Sequence, residues 1–133
     1  MIVVDTSVIA SIWVPNDMEE LAYKVLRKDP DWVAPLLWRS ELRNVLALYL
    51  RKNILKLSTI LQSIQEAEQL MESHAYEVNS IQVLQLVQNS SCSSYDCEFV
   101  ALADDLGVKL VSFDRQVCRE FSGIAIHPKN FVN

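Results

Sequence analysis

Apolar positions along this chain alternate between short unbroken blocks and longer stripes at helical spacing. Ile2-Val3-Val4 is a continuous apolar block closed by Asp5, the pattern of a short buried strand. A short helix is predicted from about Ser7 to Val14. Pro15-Asn16-Asp17 then breaks the chain and opens a second helix to about Lys28, with Leu21, Ala22, Val25 and Leu26 on one stripe. Trp32-Val33-Ala34 reads as a strand ended by Pro35, and a long helix is expected over residues 36–52. Another begins after Ser58, with Ile60, Leu61, Ile64, Ala67 and Met71 on one face. Residues 75–78 form a weak strand and residues 81–87 an apolar helix. Ser93 or Ser94 caps a helix that runs to Leu106, and Gly107 stops it. Residues 108–112 are a strong strand, Asp114 opens a short helix to about Phe121, and residues 123–126 form a final strand. Strands and helices in alternation, with strands apolar throughout, imply an α/β fold: a parallel sheet covered by helices on both faces.

Composition changes that picture little but excludes several functions. No linker, repeat or low-complexity run divides residues 1–133, so one domain is expected. Gly107 and Gly123 are the only glycines, so a P-loop or dinucleotide fingerprint is absent. Cys92, Cys97 and Cys118 form no CxxC pair, and the histidines are His74 and His127, which argues against zinc. An odd cysteine count with no basic, apolar leader suits reduced thiols in the cytoplasm. No run of about 18 apolar residues exists to cross a membrane. The net charge of −5 counts against nucleic-acid binding unless a cation or a basic partner offsets it.

Four acids stand out by position. Ligands of open parallel sheets bind beyond the carboxyl ends of the strands, where strand order reverses. Asp5 follows the first strand and Asp114 follows the strand of residues 108–112, so the two face each other if those strands are neighbours. Glu41 shares its helical phase with Leu37, Trp38, Val45 and Leu48, and Asp96 shares its own with Phe99, Val100 and Ala103. Both are therefore expected on core-facing stripes, where an unpaired charge is costly. Four inward carboxylates with no histidine or thiolate suit Mg²⁺ or Mn²⁺, and such a centre suits phosphodiester hydrolysis. Structural alternatives stand beside this. Asp5 and Asp114 are each positioned as helix N-caps, and Asp96 completes a Ser93-x-x-Asp96 capping box. Glu41 has no such alternative short of an unseen buried base.

These motifs together resemble the PIN-domain ribonucleases, especially the VapC-type toxins of toxin–antitoxin systems. Ile2-Val3-Val4-Asp5-Thr6-Ser7 is similar to the family's opening strand and first acid. Val33-Ala34-Pro35 followed by Ser40-Glu41-Leu42 and Asn44-Val45-Leu46 is similar to the second motif. Tyr95-Asp96 leading to Ala101-Leu102-Ala103 is similar to the third, and Leu110-Val111-Ser112-Phe113-Asp114 to the fourth, which usually has Thr where Ser112 stands. The resemblance implies a three-layer α/β/α sandwich around a mainly parallel sheet and Mg²⁺- or Mn²⁺-dependent cleavage of RNA (tRNA, rRNA or mRNA). It also implies a homodimer and often a cognate antitoxin. Asp5, Asp96 and Asp114 are expected to hold the metal, directly or through water, and Glu41 to bind through water or orient the attacking one. Thr6 and Ser112 are expected to support the acids, Asn44 to sit one turn from Glu41, and Arg115 to offer a phosphate contact. Some members carry a further acid soon after the fourth motif; here none occurs before Glu120. The main alternative is a PIN-like binding module, catalytically weak or inactive, acting through protein or RNA partners. Phosphotransfer folds fit poorly, because Ser7 stands where a haloacid-dehalogenase-like phosphatase needs its second Asp, and no acidic pair precedes a receiver-like Asp.

Overall fold

A computed structural model describes residues 1–71 and 75–133; His74 lies outside them. Five strands and eight helices occur among the described residues, in the order β1 (Ile2–Val4), α1 (Thr6–Trp13), α2 (Glu19–Lys28), β2 (Trp32–Pro35), α3 (Leu37–Arg51), α4 (Leu57–Leu70), β3 (Ala75–Tyr76), α5 (Ser80–Gln88), α6 (Ser94–Leu106), β4 (Leu110–Val111), α7 (Arg115–Glu120), β5 (Ala125–Ile126) and α8 (Pro128–Val132). The strands form one sheet in the order β3-β2-β1-β4-β5, with every neighbouring pair parallel. The predicted α/β sandwich is therefore the observed fold. None of the described helices is long and apolar enough to cross a membrane.

Strand order reverses between β1 and β4, since the chain builds outward from β1 to β3 and then returns to the other side of β1. Val3 pairs with Leu110 and Val4 with Val111, so β1 and β4 end side by side. The strands are all but sealed from water, which is why their sequences carry no polar alternation: Val3, Val4, Trp32, Val33, Ala34 and Val111 are buried. Helix α6 crosses β1, β2 and β4 and is backed by α5; α1 packs on α2 and α3.

Three features depart from the sequence expectations. Strand β4 is shorter than 108–112, because Val108 is held by the end of α6, its N–H donating to Ala103 O at 3.0 Å beyond Gly107 in the left-handed region (φ +66°). The buried stripe of α3 is Trp38, Leu42 and Leu46, so Leu48 is exposed and Glu41 sits half-buried at the stripe's edge. Helix α8 went unpredicted. Pro128 begins it, His127 caps it by accepting from Lys129 N–H at 3.2 Å, and Lys28 of α2 anchors it by donating to Phe131 O and lying 4.7 Å from the Phe131 ring centre.

Candidate active site

The acids gather where β1 and β4 end. Asp5 N–H donates to Val111 O at 3.3 Å, which joins the first residue after β1 to the end of β4. The Asp5 side chain caps α1, Oδ1 accepting from Val8 N–H (3.3 Å) and from the Ser7 hydroxyl (2.5 Å), while Oδ2 accepts from the Ser112 hydroxyl. Ser112 is fully buried, and its Oγ also accepts from Asp114 N–H at 3.0 Å. One hydroxyl thus ties the first acid to the fourth. Thr6 donates from Oγ1 to Glu41 Oε1 at 2.7 Å, which attaches Glu41 to the turn that carries Asp5.

Both structural alternatives for the remaining aspartates are also realised. Asp114 caps α7, with Oδ1 accepting from Gln116 and Val117 N–H at 2.9 and 3.2 Å. Ser93 caps α6 by accepting from Asp96 N–H at 3.1 Å, and Asp96 answers by bonding Ser93 in return. Capping does not exhaust these carboxylates. Among the described residues, hydrogen bonds reach only Oδ1 of Asp114, and none of the four acids pairs with a lysine or arginine.

The electrostatic consequence is an affinity for protons. Burial pushes the Asp5 carboxyl from 3.8 up to about 6, against the lowering effect of its hydrogen bonds from Ser112, Ser7 and Val8, and the Asp96 charge adds to the rise. Asp96 is raised by burial and then by the charge of Asp114. The charge of Asp96 thus reaches Asp5, and that of Asp114 reaches Asp96. Glu98, raised by burial and by Glu41, extends the acidic field along α6. Cys118 packs against the same place. Its thiol donates to Ser112 O at 3.4 Å, and burial with the charges of Asp5 and Asp114 pushes it up to about 11.

Among the described residues, no three acid, histidine or cysteine side chains close into a ready-made metal cage. The predicted four-carboxylate cluster is looser than expected. The donor set still fits a hard divalent cation, because it is all oxygen, anionic and without an internal counter-ion.

Other predicted residues divide cleanly. Asn44 is exposed and shares with Glu41, Thr6, Ser7, Val45 and Tyr95 an open cleft of about 510 Å³ beside the acids, without bonding Glu41. Arg115 is exposed and turns to a different cleft, lined also by His127. Glu120 does not extend the acid cluster. Its carboxylate accepts from Ser91 N–H (2.9 Å), the Ser91 hydroxyl (2.7 Å) and Gln116 Nε2 (3.2 Å), which holds it down at about 2 and clamps α7 to the loop before α6. Sequence reasoning passed over two residues. Ser7 bonds Asp5 and accepts from Phe113 N–H at 3.2 Å, a role its Asp-x-Ser spacing signals. Tyr95 is 59% exposed at the cleft, signalled by an aromatic in a capping turn that no core stripe claims.

Known proteins resemble this chain in sequence and in fold. Ribonuclease VapC3 of Pyrobaculum aerophilum is 28% identical over 126 residues, which cover 92% of this chain and 96% of that protein. The crystal structure of PAE2754 from Pyrobaculum aerophilum superposes with a TM-score of 0.78 at 17% identity, covering 98% of this chain and 92% of that one. That of Mycobacterium tuberculosis VapC20, a sarcin-ricin loop cleaving toxin, does so with a TM-score of 0.65 at 16% identity, covering 91% and 95%. The family model described as PIN domain matches residues 2–121, nearly the whole chain and every acid discussed above, and the chain belongs to the PIN domain family.

Proposed function

We propose that this protein is a Mg²⁺- or Mn²⁺-dependent endoribonuclease, the toxin of a toxin–antitoxin pair, folded as a single PIN-like domain over residues 1–133. The observation that carries this reading is the meeting of Asp5 and Asp114 on the Ser112 hydroxyl where β1 and β4 end, with the Asp96 charge acting on Asp5 and no lysine or arginine paired to these acids among the described residues. Likeness to a protein named as a ribonuclease and to one named as a sarcin-ricin loop cleaving toxin supports RNA as the substrate. A bound divalent cation supplies charge for a phosphoryl oxygen and acidifies water at neutral pH. Asp5, Asp96 and Asp114 would hold that ion, directly or through water. Glu41, held by the Thr6 hydroxyl, would bind that ion through water or orient the attacking water, and Ser112 ties Asp5 to Asp114. Three free cysteines accord with a cytoplasmic location, and a homodimer bound by a cognate antitoxin is the expected assembly.

A second reading, a catalytically weak PIN-like binding module, is favoured by one observation: Asp5 and Asp114 cap helices and Asp96 closes a capping box, so each has a structural use. One assay separates the two. Purified protein is incubated with single-stranded RNA and Mn²⁺, beside Asp5→Asn and Asp96→Asn. Cleavage by the wild type that both variants lose supports the enzyme. Equal low-level cleavage by all three means contamination and leaves the binding module.

A further inference from the structure

One strand outward from the acids, α7 and α8 enclose a second cleft of about 550 Å³. Its lining is Arg115, Cys118, Arg119, His127, Lys129 and Asn130, with no carboxylate among them. In a chain of net charge −5 this is a concentration of the opposite sign, holding three of the twelve lysines and arginines in one concave place. Arg115, Arg119 and Lys129 are exposed, and none forms an ion pair among the described residues. Arg115 and Arg119 stand one turn apart on α7, about 6 Å along its axis. The His127 ring is fixed on two sides. Nδ1 accepts from Lys129 N–H, and the ring meets Phe113 edge-on at 5.5 Å. With Nδ1 an acceptor, Nε2 carries the hydrogen and is left to donate.

We propose that this cleft binds backbone phosphates of the RNA strand beside the scissile one, through Arg119, Lys129 and, at the border with the acids, Arg115. The assignment rests on the nuclease reading above. Like charges gathered in a concavity repel, and behind the larger effect of its burial His127 is lowered by Arg115 and Lys129, whose charges therefore reach its ring. An anion relieves that repulsion. The volume exceeds what one phosphate group fills, and its three cations are spread over two helices, which matches a run of charges along a strand. Cys118 joins the two regions, bonding Ser112 O beneath the acids while lining the cleft. The contacts are to phosphate, so they fix position without reading sequence.

The test uses the full chain in chelator, so that binding is measured without cleavage. The probe is a fluorescein-labelled oligouridylate of about twelve nucleotides, followed by anisotropy between about 50 and 200 mM NaCl. The double variant Arg119→Ala/Lys129→Ala is expected to bind about tenfold more weakly at the lowest salt. Its slope of log affinity against log salt is expected to be shallower by about 1.4, the loss of two single-strand phosphate contacts. Arg119→Lys is expected to keep the wild-type slope. A wild-type slope and affinity in the double variant overturns the proposal, as does a wild type that binds no oligonucleotide. A labelled polyglutamate that binds the wild type as tightly as the RNA, with the same loss in the double variant, also overturns it in favour of an acidic peptide. Mn²⁺-dependent cleavage by the wild type with an unchanged slope in the double variant overturns the cleft alone and leaves the nuclease reading standing.

Discussion

Asp5→Asn should make the metal-free protein more stable, because asparagine still caps α1 and carries no charge to bury. The carboxyl is displaced from 3.8 to about 6, chiefly by burial. A folded-state value above the unfolded one means that ionisation opposes folding, and the penalty grows as pH rises from below 3.8 to above 6. At about 1.4 kcal/mol per pH unit, the full penalty is about 3 kcal/mol at pH 8 and about 1 kcal/mol at pH 4.5. Asparagine removes the charge and keeps an oxygen for Val8 N–H and Ser7, while its amide faces Ser112, whose hydroxyl oxygen can accept instead. Allowing for that rearrangement, a net gain of about 1–3 kcal/mol is expected at pH 8, or about 3–9 °C in melting temperature for a chain of this size. The measurement is urea unfolding of wild type and variant in chelator at both pH values. The gain should shrink by about 2 kcal/mol on going to pH 4.5, because the wild type has by then taken up its proton. A variant less stable than wild type at pH 8, or a difference that ignores pH, would refute the idea that this carboxylate is ionised at the expense of its burial.

Other perturbations report on neighbouring parts. Ser112→Ala removes the hydroxyl that donates to Asp5 and accepts from Asp114 N–H; it should cost about 1–3 kcal/mol in urea unfolding and lift the Asp5 carboxyl above about 6, seen as an alkaline shift in its NMR titration. Glu120→Gln should remove an acid-sensitive contribution to stability. The Glu120 carboxylate is lowered from 4.5 to about 2, so what it adds is complete above 4.5 and fades as pH falls toward 2, and wild type and variant should converge in acid melts over that window. Gly107→Ala places a side chain at φ +66° with nothing within 4 Å of the new Cβ, so only backbone conformation is penalised, by about 1–2 kcal/mol, with melting temperature lowered by about 3–8 °C.

The parts of the fold that were legible are those where one physical signal dominates. Ile2-Val3-Val4 and Leu110-Val111 have no polar face to misread, and the parallel sheet follows from them. Asp5 and Asp114 were found because strand ends at a switch point are fixed by topology, not by side-chain detail. Helix α3 was read one position out of phase. Apolar residues at 37, 38, 42, 45, 46, 48 and 50 nearly encircle it, so only its packing partners decide that Leu42 and Leu46, and not Leu48, turn inward. Glu41 moved with that phase from the core to its margin. Helix α8 was missed because five residues are too few for periodicity, and Pro128 reads as a terminator unless His127 is recognised as its cap. The fate of Glu120 was invisible for another reason: its partners, Ser91 and Gln116, come together only after α7 has docked.

The sheet order also governs when the acids can come together. The middle strand comes from residues 2–4, one of its flanks from residues 32–35 and the other from residues 110–111. A polypeptide emerging residue by residue can settle its first three strands early, but its opening acid has no opposite number until more than a hundred residues have followed. Such long-range closure is slow, and it comes last. The meeting of the first and fourth acids, on which the proposed activity depends, therefore waits until residues 110–114 have joined the sheet.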